Sequence, residues 1–158
     1  MFAFWRPLPW SDPAKQYEAL ILEAAERSRV DPALLRAIAW HESRFDAAKI
    51  HEGAYGLMQI GRGTAMEWAA VHEIPQFAEN DLLDVRTNLH VGAWCLAQGM
   101  QRWGECDEPS TFALAEYHAG AEAVRAWVRG SRAVQDLWAA MRGTHTGAYV
   151  ERVLRQKG

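Results

Sequence analysis

The sequence predicts a mostly α-helical protein with a single hydrophobic core. Apolar residues recur at the spacing of helices, and no segment alternates apolar and polar residues over the length of a strand. At 158 residues, 49% of them hydrophobic, the chain is long enough for one domain that buries roughly two-thirds of its unfolded surface. We find no repeat of about 20 to 50 residues, which would indicate a solenoid or an array.

Residues 1–10 are predicted to form an extended arm that lies over apolar surface. Two prolines alternate there with large apolar side chains, which excludes a helix. Pro13 then opens the first helix, which is predicted to end near Arg29. The predicted domain comprises residues 11–158.

The second helix contains the most informative residue, Glu42. An Asp-Pro pair at 31–32 is typical of a helix start. Glu42 then falls on the same helix face as Leu35 and Ile38, and we expect that apolar face to continue to Phe45.

A carboxylate on an apolar face either raises its pKa or finds a partner, because burial disfavours its charged form. A raised pKa is what a general acid near neutral pH requires. The alternative is a salt-bridged or half-exposed glutamate at the end of a helix, with Arg36 or Arg44 nearby, and spacing by itself favours that alternative.

A glycine-rich loop follows at residues 53–63, read GAYGLMQIGRG. Its glycines permit positive φ and a close approach of the backbone to another group. Gln59 adds a hydrogen-bond donor and an acceptor, and Met58 adds an adaptable apolar surface. We therefore predict a loop that orients a ligand.

The rest of the chain is predicted to form six more helices. Thr64 to Glu67 has the spacing of a capping box, Asp84 is a further candidate N-cap, and Gly120 is typical of a helix end. The predicted ranges are 64–73, 84–103, 109–119, 121–128, 133–142 and 146–156.

Four short motifs follow one another along the chain: ESRF at 42–45, GAYGLMQI at 53–60, ALAEYHAG at 113–120 and YVERV at 149–153. In this order they resemble the motifs of the SLT-type lytic transglycosylase domain, in glycoside hydrolase family 23, which is related to goose-type lysozyme. The helix with NLHVGAWCL at 88–96 is more loosely similar to a further helix of that family. The resemblance covers residues 7–154 and implies a compact, lysozyme-like domain of about seven to nine helices with a glycine-rich active-site loop.

The resemblance implies that Glu42 is the catalytic acid and base. In that reaction it protonates the glycosidic oxygen between N-acetylmuramic acid and N-acetylglucosamine in bacterial peptidoglycan, and a 1,6-anhydro ring then closes without water. Most glycosidases use a second carboxylate, which the family's motifs lack, and Asp46 is expected to be a turn residue. Two alternatives stay open: a hydrolytic muramidase of goose-lysozyme type, and a non-catalytic peptidoglycan-binding module of a secretion or phage assembly.

Six further residues are predicted to bind substrate because they fall in the same motifs. They are Ser43, Met58, Gln59, Tyr117, His118 and Tyr149. For Ser43 the alternative is a hydrogen bond back to its own helix. His118 stands where the family has Asn, and His145 stands where it has Glu.

Composition and charge limit the partners and cofactors. The formal net charge is -3 with Lys and Arg scattered, so we expect no nucleic-acid partner. The six histidines show no metal-ligand spacing, so neither a metal nor another cofactor is expected. The expected partner is the glycan strand of peptidoglycan, bound by a monomer.

The expected location is the periplasm or cell envelope, or delivery by a phage. No apolar run approaches the roughly 18 residues of a membrane span, and the opening residues lack the pattern of a signal peptide. The resemblance implies that an export signal or N-terminal membrane anchor lies outside this chain.

The two cysteines leave two alternatives open. If the helix around Cys95 continues to Trp103, the chain rises about 12 Å before it turns back toward Cys106. A disulfide would then need an awkward return of the chain, and the alternative is a pair of free thiols.

Overall fold

The computed structural model describes residues 12–157, which fold into eight α-helices and one small sheet. The helices are α1 (Glu18–Ser28), α2 (Pro32–Ser43), α3 (Arg62–Val71), α4 (Val85–Arg102), α5 (Pro109–Ala119), α6 (Ala121–Val128), α7 (Val134–Met141) and α8 (His145–Lys157). Short 3-10 turns at Lys15–Tyr17 and Glu79–Leu83 precede α1 and α4. The predicted mostly α-helical fold is confirmed, as is the predicted number of helices. The predicted arm at residues 1–10 lies outside the described residues.

Helix α4 is the central element of the core. The Asp84 side chain caps it by accepting a 2.8 Å hydrogen bond from the Thr87 amide, as the sequence predicts. Leu89 and Leu96 are fully buried on its inner face, and α1 and α5 pack against it. Helix α2 packs chiefly against α8. As a result, the end of α2 that contains Glu42 faces the last helix of the chain.

Three predicted helix boundaries are wrong. Helix α1 begins at Glu18 rather than at Pro13, because residues 15–17 form a 3-10 turn. Helix α2 ends at Ser43, because Arg44 and Phe45 adopt positive φ values of 58° and 63°, so Phe45 is buried beyond the helix rather than on its face. Helix α3 begins at Arg62, before the predicted capping box, and its N-cap is Gly61, which offers no side-chain hydrogen bond.

The glycine-rich region forms a three-stranded antiparallel sheet that the sequence did not predict. Its strands are β1 (Ile50–His51), β2 (Ala54–Tyr55) and β3 (Ile60–Gly61), in the order β1-β2-β3. Ile50 pairs with Tyr55, and Tyr55 pairs with Ile60. Strands of two residues are too short to show a sequence alternation.

Cys95 and Cys106 are free thiols, so of the two alternatives the structure adopts the second. Burial raises the pKa of Cys95 to about 12, which keeps this thiol protonated at neutral pH. Within residues 12–157, no helix has both the length and the apolar character that crossing a membrane requires.

Candidate active site

Glu42 is half-buried in the last turn of α2. Burial raises the pKa of its carboxyl above the usual value of 4.5, because an apolar environment disfavours the charged form. The Tyr149 hydroxyl and the positive charge of Lys49 oppose that rise without cancelling it. Glu42 therefore retains its proton to a higher pH than an exposed glutamate does.

The two arginines that could have formed an ion pair with Glu42 have other partners. Arg36 forms a salt bridge with Glu18 at 2.8 Å. The Arg44 guanidinium lies 4.5 Å from the centre of the Trp40 ring, in a cation-π contact. The structural ion-pair alternative is therefore wrong for both arginines.

Lys49 connects Glu42 to the glycine-rich loop. Its ammonium group donates a hydrogen bond to the main-chain carbonyl of Glu42. Its own carbonyl accepts hydrogen bonds from the Gly56 amide at 2.8 Å and from Gln59 Nε2 at 3.2 Å. Nothing in the sequence marks this residue, because a single lysine between a helix and a loop has no distinguishing pattern.

Asn88, on α4, holds the same loop through three side-chain hydrogen bonds. Its side-chain amide donates to the carbonyls of Tyr55 at 2.7 Å and Leu82 at 2.9 Å, and its Oδ1 accepts from the Met58 amide at 2.8 Å. Asn88 is fully buried, so these three bonds satisfy polar groups that water does not reach. Gly56, with φ 73°, passes so close to Asn88 that a Cβ atom there would collide with it.

Met58 lies beneath the candidate site rather than on its surface. Its side chain is fully buried and occupies the space that Gly92 leaves open on α4. Its carbonyl accepts a 2.9 Å hydrogen bond from the hydroxyl of Tyr117, which ties the loop to α5. Met58 thus has a supporting position and offers no side-chain surface to a ligand.

Tyr149, on α8, is 4% exposed and directs its hydroxyl toward Glu42. Burial, and then the nearby Glu42 carboxyl, raise the pKa of Tyr149 well above 10, so this phenol stays neutral. The approach stops short of ordinary hydrogen-bond geometry, and the Tyr149 hydroxyl has no hydrogen-bond partner among residues 12–157. A buried hydroxyl next to an acid can donate to that acid once it becomes charged.

His118 covers the outer side of Tyr149. Their rings are 4.5 Å apart with a 33° tilt, and His118 Nδ1 lies 3.0 Å from the hydroxyl of Thr146. His118 is exposed, so a ligand in front of Tyr149 can reach it. His41, the neighbour of Glu42 on α2, approaches Tyr149 from another direction with its ring centre at 6.5 Å.

Ser43 and Gln59 differ in their access to a ligand. Ser43 is buried, and its hydroxyl donates a 3.0 Å hydrogen bond to the Ala39 carbonyl. This is the hydrogen bond back to its own helix that the sequence left open as an alternative to substrate binding. Gln59 is half-buried, and its Nε2 also donates to the Gly56 carbonyl at 2.9 Å. These bonds hold the Gln59 side chain across the base of the loop.

Glu42 is the acid of the candidate site. Among residues 12–157, the side chains that act on the Glu42 carboxyl are Tyr149 and Lys49, and neither is a carboxylate. Asp46 accepts a 3.0 Å hydrogen bond from the Ala48 amide and is the predicted turn residue. Over the same residues, no three His, Cys, Asp or Glu side chains come together as a set that could hold a metal ion.

Comparison with known proteins places this architecture in one family. The family model described as Transglycosylase SLT domain matches residues 19–137. Membrane-bound lytic murein transglycosylase F of Desulfosudis oleivorans is 34% identical over 70% of this chain and 23% of its own length. Soluble lytic murein transglycosylase of Escherichia coli K12 is 31% identical over 94% of this chain and 22% of its own length. The chain thus spans less than a quarter of the length of these curated relatives.

Solved structures agree with the family match and confirm the lysozyme-like fold. The 70 kDa soluble lytic transglycosylase of Escherichia coli superimposes with a TM-score of 0.78 at 28% identity, over 89% of this chain and 23% of that one. An inactive glutamate-to-glutamine mutant of lytic transglycosylase Slt from Pseudomonas aeruginosa gives a TM-score of 0.81 at 26% identity, over 98% of this chain and 25% of that one. The chain belongs to the transglycosylase SLT domain family.

Proposed function

We propose that this domain cleaves the glycan strands of bacterial peptidoglycan as a lytic transglycosylase, with Glu42 as its single acid and base. The observation that carries the proposal is a half-buried carboxyl of raised pKa that faces a buried tyrosine hydroxyl, with no second carboxylate acting on it among residues 12–157. The curated relatives named above are lytic murein transglycosylases, and a glutamate-to-glutamine mutant of Pseudomonas aeruginosa lytic transglycosylase Slt is inactive, which supports an enzyme that depends on a glutamate.

The reaction requires Glu42 in both protonation states. Protonated Glu42 donates its proton to the glycosidic oxygen that follows N-acetylmuramic acid, while the bond from that oxygen to the anomeric carbon breaks. The substrate's own acetamido oxygen stabilises the electron-poor anomeric carbon. The Glu42 carboxylate then accepts the proton of the C6 hydroxyl, and the C6 oxygen bonds to the anomeric carbon to close the 1,6-anhydro ring. No water is consumed, and Glu42 ends the cycle protonated.

Burial and two neighbouring side chains adjust the pKa of Glu42 for these two steps. Burial favours the protonated state that starts the reaction. The Tyr149 hydroxyl and Lys49 stabilise the carboxylate that forms after the first proton transfer. A carboxyl that is neither fully buried nor fully paired can therefore return its proton within one cycle.

We assign the remaining residues of the site by their access to substrate. We assign Tyr149, His118 and Gln59 to direct contact with the sugar. Tyr149 faces Glu42, the exposed His118 lies against Tyr149, and the half-buried Gln59 bonds to the carbonyl of Lys49. Ser43, Met58 and Tyr117 support the site through hydrogen bonds and packing from behind. We further propose that residues 11–158 form the catalytic domain, which acts as a monomer in the cell envelope without a cofactor.

Product analysis tests the proposal. Wild-type protein incubated with purified sacculi should release muropeptides with 1,6-anhydro ends, which mass spectrometry detects as one water lighter than hydrolysis products. Glu42→Gln should abolish that release without changing the circular dichroism spectrum, and Glu67→Gln, at an exposed position on α3, is the matched control.

Three results would contradict the proposal. Reducing-end products from the wild-type protein would identify a hydrolytic muramidase. Binding of sacculi without any cleavage would identify a binding module. Full activity of Glu42→Gln would remove Glu42 from the mechanism.

A further inference from the structure

A surface cavity of about 690 Å³ lies between α1, α3 and α4, and no residue of the candidate active site lines it. Its volume is within the range of about 300 to 1,000 Å³ that is typical of small-molecule sites. Three aromatic rings, from Trp68, His72 and Trp94, line one part of it. We call it the aromatic cavity.

The aromatic cavity and the active site use different faces of α4. Asn88 and Gly92 face the glycine-rich loop, where Asn88 bonds to Met58 and Gly92 receives its side chain. His90 and Trp94 line the aromatic cavity, and each follows one of those residues by two positions. Two positions correspond to about 200° around a helix, so the two sites lie on nearly opposite sides of α4.

The aromatic rings form a continuous wall. The His72 ring lies 4.8 Å from the Trp68 ring at a 32° tilt, and 6.3 Å from the Trp94 ring in an edge-to-face contact. His72 Nδ1 also lies 2.8 Å from the main-chain carbonyl of Trp68, which fixes the ring at the end of α3. Both tryptophans are only partly buried, so their rings remain accessible to a ligand. Such rings provide apolar faces of the size of one sugar ring.

The facing wall is polar and already ordered. The Glu23 carboxylate accepts hydrogen bonds from Arg86 at 2.6 Å and lies 3.1 Å from His90 Nε2. The hydrogen bond with His90, helped by Arg86, lowers the pKa of Glu23, so this carboxylate is charged at neutral pH and balances Arg86. Thr87 and Gln98 add an uncharged hydroxyl and an uncharged amide to the lining.

We propose that the aromatic cavity is a second glycan-binding site that takes an N-acetylated amino sugar of a peptidoglycan strand. An apolar wall opposite hydrogen-bonding groups matches a pyranose ring, which has C–H groups on its faces and hydroxyl and acetamido groups on its edge. The lining also includes Arg27, which is exposed and has no salt bridge among residues 12–157, so the wall is not charge-balanced and the choice of a sugar rests on the aromatic rings and the hydrogen-bonding groups. The choice of glycan rests on the proposed function, whereas the position of the cavity does not. Such a site would hold a strand to the enzyme while Glu42 acts on another segment.

The test uses the full chain with Glu42→Gln, so that no probe is cleaved. The probe is tetra-N-acetylchitotetraose, followed by the indole N–H signals of the eight tryptophans in proton-nitrogen NMR spectra. Trp68→Phe and Trp94→Phe assign the two relevant signals. We expect both signals to shift with the probe in a saturable manner.

Two variants then measure the contribution of the aromatic wall. His72→Ala, at an exposed position, and Trp94→Ala should raise the dissociation constant for the probe, followed at the Trp68 signal, about 3- to 10-fold. Trp138→Ala, at a partly exposed position in another cavity, is the matched control and should leave it unchanged. Thermal unfolding checks that each variant is folded, and His72→Ala keeps the test valid if Trp94→Ala unfolds.

The proposal is overturned if the Trp68 and Trp94 signals do not move at millimolar probe, or if His72→Ala binds as tightly as its parent. These readouts do not depend on cleavage. If sacculi are not cleaved by the wild-type protein but both signals shift, then the proposed function fails and the second binding site stands.

Discussion

The hydroxyl of Tyr117 on α5 donates a 2.9 Å hydrogen bond to the main-chain carbonyl of Met58 in the glycine-rich loop. This bond, the three bonds of Asn88 and the contacts of Lys49 hold the loop beside Glu42. The loop has strands of only two residues, so its position depends on these side chains more than on its own backbone pairing.

Tyr117→Phe should destabilise the protein by about 1–3 kcal/mol, because it leaves the Met58 carbonyl without its partner. Cleavage should slow as well, since the loop is then less firmly held beside Glu42. Denaturant unfolding and the rate of muropeptide release measure the two effects. Tyr55→Phe, which removes the 3.0 Å bond to Glu79, is the control and should cost no more than about 1 kcal/mol. Equal losses for the two variants would argue against a special role for Tyr117.

Asn88→Ala should cost about 2–4 kcal/mol, because it removes three buried hydrogen bonds and leaves main-chain groups of the loop unsatisfied. Asn80→Ala, at an exposed position of the preceding 3-10 turn, should change the stability by less than about 0.5 kcal/mol. Chemical denaturation of both variants provides the comparison. Similar values would mean that the loop does not depend on Asn88.

Two glycines of the loop separate backbone strain from crowding. Gly53 has φ 78° with no atom within 4 Å of the position that a Cβ would take, whereas Gly56 has φ 73° and lies against Asn88 and the Leu82 carbonyl. Gly53→Ala should therefore cost about 1–2 kcal/mol from the left-handed conformation alone. Gly56→Ala should cost at least about 3 kcal/mol, because collision is added to the same strain. Thermal unfolding of the two variants measures the difference between strain alone and strain with collision. Equal decreases in Tm would contradict the collision at Gly56.

The raised pKa of Glu42 predicts a pH-dependent stability. The folded state binds the Glu42 proton more tightly than the unfolded state, whose pKa is near 4.5, so this group destabilises the protein as the pH rises from 4.5 through the folded-state pKa. Glu42→Gln removes this pH-dependent loss of stability, because glutamine carries no charge at any pH. Its Tm should match the wild-type value near pH 4 and exceed it at pH 7 to 8.

Thermal melts over that pH range, with Glu67→Gln as the control, measure the difference. A Tm advantage of Glu42→Gln that shrinks as the pH rises would contradict the buried, destabilised carboxylate.

Local sequence determined most helix boundaries of this protein. Asp31 accepts a 2.9 Å hydrogen bond from the Ala33 amide at the start of α2, and Asp84 does the same for α4. Gly120 ends α5, as predicted. These features depend on residues within one helical turn, so they can be identified in the sequence. The motif positions likewise identified Glu42 and the loop before any contact was known.

Tertiary structure alone decided how those parts work together. Glu42 and Tyr149 are more than 100 residues apart in the sequence, and they meet because α2 packs against α8. The same packing explains three further features of the site. Lys49 and Asn88 hold the loop, Met58 is buried in the core, and Glu42 forms no ion pair with Arg36 or Arg44. Hydrogen bonds and burial between distant segments depend on the full set of inter-helix contacts, whereas helix caps and apolar spacing depend on neighbours in the chain.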